Sequence, residues 1–134
     1  MKLSDVQEII PIETITPIPR APSYIAGIIN FRGSILTVLD TEKRVFDTKR
    51  PSPQNQKYII ITSIESNLMG FIVGNVEGIV KAEVVNETTN QKSSLTQKKF
   101  KKNFLDSIIK WKDNATENIG ALLNIISIVN PSTI

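Results

Sequence analysis

The 134-residue chain has no cysteine and no histidine. Without cysteine there is no disulfide, no thiolate ligation of zinc or iron–sulfur clusters and no thiol nucleophile. Without histidine there is no Ser-His-Asp triad and no imidazole acid–base chemistry. A phosphate-cradling GxxxxGK[ST] loop, a GxSxG elbow and a GxGxxG turn are also absent. No apolar run approaches the ~18 residues of a membrane span, and Met1-Lys2-Leu3-Ser4-Asp5 leads into no signal-peptide core. A soluble, cytoplasmic protein without direct membrane insertion is therefore expected. Carboxylates remain, among them Asp40, Glu42, Glu65, Glu77 and Glu83, but these fall at expected strand ends and exposed faces, and nothing brings two together in a cleft. No catalytic residue, metal ligand or cofactor is assigned, and enzyme function is not expected.

What is present is ordinary for one compact globular domain: 40% apolar and 22% charged residues. The net charge of +3 is too small to name a polyanionic partner. Its distribution is uneven, with seven lysines from Lys92 to Lys112 against one acid, Asp106. Phe100, Phe104 and Trp111 lie among them, which is the composition of a basic barrel that stacks bases. This nucleic-acid reading is the alternative. It is disfavoured because Phe104 and Trp111 fall on an apolar stripe that reads as core, and a solvated loop accounts for the lysines.

Along the chain, Leu3, Val6 and Ile10 have helical spacing, with Ser4 as N-cap and Gln7 as capping-box partner, so a short helical turn is expected over 3–10. Pro11, Pro17, Pro19 and Pro22 then enforce an irregular connector over 11–23. Residues 24–32 and 35–40 read as a hairpin turning at Arg32-Gly33-Ser34, followed by one helical turn over 41–47 and a loop over 48–56. Residues 57–65 are β-rich, Asn67 marks a turn, and 70–85 continue as strand with bends at Gly74 and Gly78. A polar loop over 86–103, an ambiguous apolar segment over 104–111, a turn over 112–118 and a final strand over 121–129 complete the chain. Leu122, Ile126 and Ile128 would share one face of that strand. Ile60, Ile72, Val76, Leu122 and Ile126 are expected in the core. The sum is roughly eight short strands and little helix, hence an all-β barrel or sandwich.

One ordered series is more specific. Val6-Gln7-Glu8-Ile9 precedes the Pro-rich TPIPRAP (16–22), then Gly27-Ile28-Ile29-Asn30-Phe31-Arg32-Gly33, then ILTVLD (35–40). This order and spacing resemble the CheW family of chemotaxis adaptors, in which a V-x-E-I element and a Pro-containing connector lead to G-[VI]-[IV]-N-[LF]-R-G. YIIIT (58–62), GFIVGNVEGIV (70–80) and ALLNIISIV (121–129) are similar to later family strands, so the resemblance covers nearly the whole chain. It implies one CheW-like domain over 1–134, made of two small SH3-like β-barrel subdomains near 1–50 and 51–134. It also implies a scaffold that couples the cytoplasmic tip of a chemoreceptor to the regulatory domain of a CheA-type histidine kinase, at membrane-bound receptor arrays. The sequence departs from the family at Thr37, where proline is usual, and at Asn75, where aspartate is usual. The family's opening pair of strands has no counterpart before Val6. An open edge in the first subdomain is expected from this, and with it a homodimer through that edge or a loosened subdomain.

The resemblance makes Val6, Glu8, Ile9, Asn30, Arg32 and Gly33 the candidate protein-binding residues. Their own chemistry agrees in part. Arginine's rigid five-donor fork suits interface ion pairs, and Glu8 has no reason to be in a core. Asn30 reads as bonding the turn backbone, Gly33 as conformational, and Val6 as packing on the barrel.

Overall fold

The computed structural model describes residues 1–46, 56–85 and 104–129. Its contacts divide into two compact units, Lys2–Glu77 and Gly78–Ile134. The division falls at Glu77/Gly78. The two strands over 58–73 join the same sheet as the strands before residue 50, and the strands after Gly78 form another.

The first unit contains a 3-10 turn, Leu3–Asp5, then β1 (Val6–Pro11), β2 (Ile25–Phe31), β3 (Ser34–Asp40), α1 (Thr41–Phe46), β4 (Tyr58–Ile64) and β5 (Asn67–Val73). They form a five-stranded sheet of order β1-β4-β5-β3-β2, antiparallel except for β3 beside β5. The helical turn expected within 3–10 is present only as the 3-10 turn Leu3–Asp5: Ser4 lies inside it and is not its N-cap, and Gln7 is in strand. Two periodicities compete in this segment. Pairing with β4 selects the period of two, so that beyond the bulge between Val6 and Glu8 the residues Glu8 and Ile10 share one face and Ile9 and Pro11 the other.

Both hairpins of this unit turn through two residues with positive φ, Arg32-Gly33 (51° and 83°) and Glu65-Ser66 (49° and 69°). This is the type I′ geometry whose twist matches that of the strands it joins. The second turn sits ahead of Asn67, which is the first residue of β5. β5 ends at Val73, and residues 74–82 are not strand, contrary to the continuous strand expected over 70–85.

The core of the first unit clusters Ile29, Leu36, Val38, Ile59, Ile61 and Ile72. Ile59 and Ile61 take the inward positions of β4, and Ile60 is only half-buried. A run of three isoleucines carries no alternation, so its facing is fixed by its partners, Ile72 and Gly70 on β5. Val76 is half-buried and outside any strand. Asp40, expected at an exposed strand end, is instead 2% exposed. One carboxylate oxygen caps α1 by accepting from the Lys43 backbone N–H at 3.1 Å, and the other accepts from the Gln56 amide at 2.8 Å.

The second unit is a three-stranded sheet, β6-β7-β8, with β6 at Glu83–Val84, β7 at Leu105–Asp113 and β8 at Thr116–Leu123. The ambiguous segment over 104–111 is thus strand, and the turn over 112–118 shrinks to Asn114-Ala115 (φ 46° and 72°). An alanine held left-handed is strained, and Asn-Gly is the favoured pair here. Ala115→Gly is expected to raise stability by about 1 kcal/mol. An unchanged or lower urea midpoint would show that the turn carries no such strain.

The expected last strand over 121–129 is also corrected. β8 stops at Leu123, and α2 (Ile125–Val129) follows. The Asn124 side chain accepts from the Ser127 backbone N–H at 3.2 Å, capping the new helix. Helical period buries Ile125 and Ile128 and leaves Ile126 58% exposed, so Ile126 and the half-buried Leu122 are not core. The polar loops over 48–56 and 86–103 lie, apart from Gln56, outside the described residues, as do Lys92 to Lys102 and Phe100.

Candidate functional site

The sheet order places β1 and β2 at opposite ends, about 19 Å apart if the sheet were flat. Yet the Arg32 guanidinium donates from Nη2 to Glu8 Oε1 at 2.5 Å. Thr16, five residues beyond β1, also exchanges backbone hydrogen bonds of 3.0 and 2.8 Å with Ile28 on the outer side of β2. The sheet therefore curves enough for a side chain of one edge strand to reach the turn that follows the other, and the 12–24 connector bridges them. Two sequence elements separated by more than twenty residues become one surface.

The parts of that surface have distinct tasks. Asn30 Oδ1 accepts from the Gly33 backbone N–H at 3.0 Å, which pins the turn. A Cβ on Gly33 would meet nothing within 4 Å, so its glycine serves the positive φ and not a close contact. The Arg32 guanidinium lies 5.0 Å from the centre of the Phe31 ring, within cation–π range. Arg32 is 72% exposed and Glu8 31%. Glu8 shares its face with Ile10, which packs on the core, so the carboxylate sits at the rim of the buried side.

Of the six sequence candidates, Glu8, Asn30, Arg32 and Gly33 come together. Val6 is half-buried and separated from Glu8 by the bulge in β1, and Ile9 points to the face opposite Glu8. Two neighbours went unassigned from sequence. Phe31 supports the guanidinium, and Ile35, which pairs across the hairpin with Asn30, is 72% exposed. Alternation along SILTVLD could have found Ile35, since Leu36 and Val38 take the inner positions.

Elsewhere, Phe104 is fully buried and cannot stack on a base. Lys110 and Lys112 line a cleft of about 440 Å³ with Lys81, Glu83, Trp111 and Glu117. Its charges are of both signs, which is unlike a phosphate-tracking groove. Among the described residues, no three carboxylates are grouped as a metal site would need, and no helix is long and apolar enough to cross a membrane.

A family model described as the CheW-like domain matches residues 1–132. A chemotaxis protein CheW of Rhizobium meliloti is 35% identical over 65 residues, covering 48% of this chain and 41% of the relative. One from Treponema pallidum is 27% identical over 78 residues, covering 56% and 46%. The chain thus spans less than half the length of these relatives. A crystal structure titled as the scaffolding protein TtCheW from Thermoanaerobacter tengcongensis superposes with a TM-score of 0.70 at 26% identity. That match covers 97% of this chain and 79% of that one.

Proposed function

This chain belongs to the CheW-like domain family, and from that premise we propose that it is a non-catalytic scaffold of chemotaxis signalling. One surface would hold the regulatory domain of a CheA-type histidine kinase and another the cytoplasmic tip of a chemoreceptor, within cytoplasmic arrays at the membrane. We assign the Glu8–Arg32 pair, with Phe31, Ile35 and the Asn30-pinned turn, to one of these docking surfaces. Val6 and Ile9 lie beside Glu8 on β1, Val6 across the bulge and Ile9 on the opposite face.

The observation that carries this reading is the position of the ion pair. It joins two halves of a specific motif at a place where Arg32 is 72% exposed. An exposed pair contributes only about 0–1 kcal/mol to stability, so folding alone gives little reason for it. As a contact it is more useful. The guanidinium is pre-oriented by Glu8 and Phe31, and three of its five donors remain for a partner's carboxylate or backbone carbonyl even if Glu8 takes two. Signalling then consists of differential affinity: receptor change can shift the kinase only by the difference in how the scaffold holds its two states, typically about 1–3 kcal/mol.

Calorimetric titration with a CheA-type regulatory domain tests this. Wild-type protein should bind one to one, and Arg32→Ala should weaken binding at least about tenfold, or 1.4 kcal/mol. Its melting temperature should stay close to wild type, because the pair is exposed. Normal binding by Arg32→Ala would remove the surface assignment while leaving the scaffold. No binding by the wild type would remove this kinase partnership.

A further inference from the structure

We propose that the outer edge of β8 pairs with the same edge of a second copy of this chain, making a two-fold dimer through a continuous sheet. Among the described residues the sheet of the second unit ends on β8, which pairs there only with β7. The three-stranded sheet therefore has a terminal ladder eight residues long. Natural edges are blunted by proline, lysine, bulges or short length. β1 carries such devices, a bulge between Val6 and Glu8 and a terminal Pro11. β8 has neither proline nor lysine, and the irregularity of its ladder, at Leu105/Ser107, lies on β7. Its one charged residue is Glu117.

The register of the hairpin identifies the groups on offer. A two-residue turn makes its flanking pair, Asp113 and Thr116, a hydrogen-bonded pair, and the alternation runs on from there. Glu117, Ile119 and Ala121 fall at the non-bonded positions, so their N–H and C=O groups point away from β7. Among the described residues none of these groups has a backbone partner.

Outward groups must meet outward groups, and antiparallel pairing about a two-fold axis does this with the axis at Ile119. Ile119 then lies opposite the partner's Ile119, and Glu117 opposite the partner's Ala121. About six backbone hydrogen bonds form. Ile119, now 45% exposed, is covered by its own equivalent, and no like charges are directly opposed. A second copy satisfies the edge on both sides at once, which is the closed symmetry of an isologous dimer. The expected use of the first unit's edge is thereby replaced, since β1 is the blunted one.

Sedimentation of the full chain over a wide concentration range tests this. Wild type should pass from monomer to dimer. Ile119→Glu should raise the dissociation constant by about tenfold or more, because two like charges then face across the axis. The same substitution gains Lys110 as a cross-strand partner within the monomer, so thermal unfolding measured at concentrations where wild type is monomeric should be unaffected. Ile119→Pro removes only the outward N–H and should also abolish the dimer. Ile9→Glu, on β1, should dimerise like wild type. A wild type that stays monomeric, an Ile119→Glu that dimerises normally, or an Ile9→Glu that dissociates would each overturn the proposal.

Discussion

Gly27→Ala is expected to destabilise the first unit by about 3–5 kcal/mol, combining backbone strain, overpacking and lost hydrogen bonds. Gly27 sits in β2 with φ at +148°, a conformation that side chains resist. A Cβ built there would lie 2.1 Å from the Thr16 carbonyl oxygen and 2.7 Å from its carbon. These are backbone atoms and cannot rotate aside. To admit the methyl group, the 12–24 connector must leave β2, giving up both hydrogen bonds to Ile28 and the packing of Ile15 on the core. The same movement unties the two ends of the sheet, so the Glu8–Arg32 surface should loosen with it. Urea unfolding decides the matter: a loss under about 1 kcal/mol would mean that the connector adapts at little cost.

Asp40→Ala is expected to cost about 3–5 kcal/mol, the range for removing one partner from a buried polar arrangement. Both carboxylate oxygens are in use, one on the first turn of α1 and one on Gln56, and the Asp40 N–H donates to the Tyr24 carbonyl at 2.7 Å. The unit's other buried charge, Arg44, lies one helical turn on and stacks 4.2 Å from the centre of the Tyr24 ring. Asp40 therefore ties the end of β3 to α1, and its backbone ties it to the residue that leads into β2. Asp40→Asn keeps the capping oxygen and should cost less, about 1–2 kcal/mol. If alanine and asparagine prove equally damaging, the charge outweighs the cap. If alanine is nearly neutral, the buried network contributes no net stability. Binding measured on the asparagine variant should remain close to wild type, since Asp40 is buried and takes no part in the Glu8–Arg32 surface.

Composition and short-range spacing were enough to read the chemistry and most of the local turns. Lacking cysteine and histidine, the chain could support no thiol or imidazole chemistry. The Pro-rich connector, the β2–β3 hairpin and a helical turn over 41–47 were legible because proline and glycine act within a few residues of themselves, whereas the capping and burial of Asp40 were not. The motif that carries Glu8 and Arg32 was legible as an ordered series. Tertiary structure decided everything that depends on a partner strand. It made 6–11 a strand in place of a helix, since only β4 distinguishes the two periods present there. It turned Ile59 and Ile61 inward where the run Tyr58-Ile59-Ile60-Ile61 carries no alternation. It bent 125–129 into a helix once Asn124 found a backbone N–H to accept from. It also brought Glu8 to Arg32, a contact invisible in a linear pattern because it exists only when a five-stranded sheet curves. Local propensity acts over a turn or two of chain; register, facing and long-range ion pairs are set by neighbours that the chain meets only on folding.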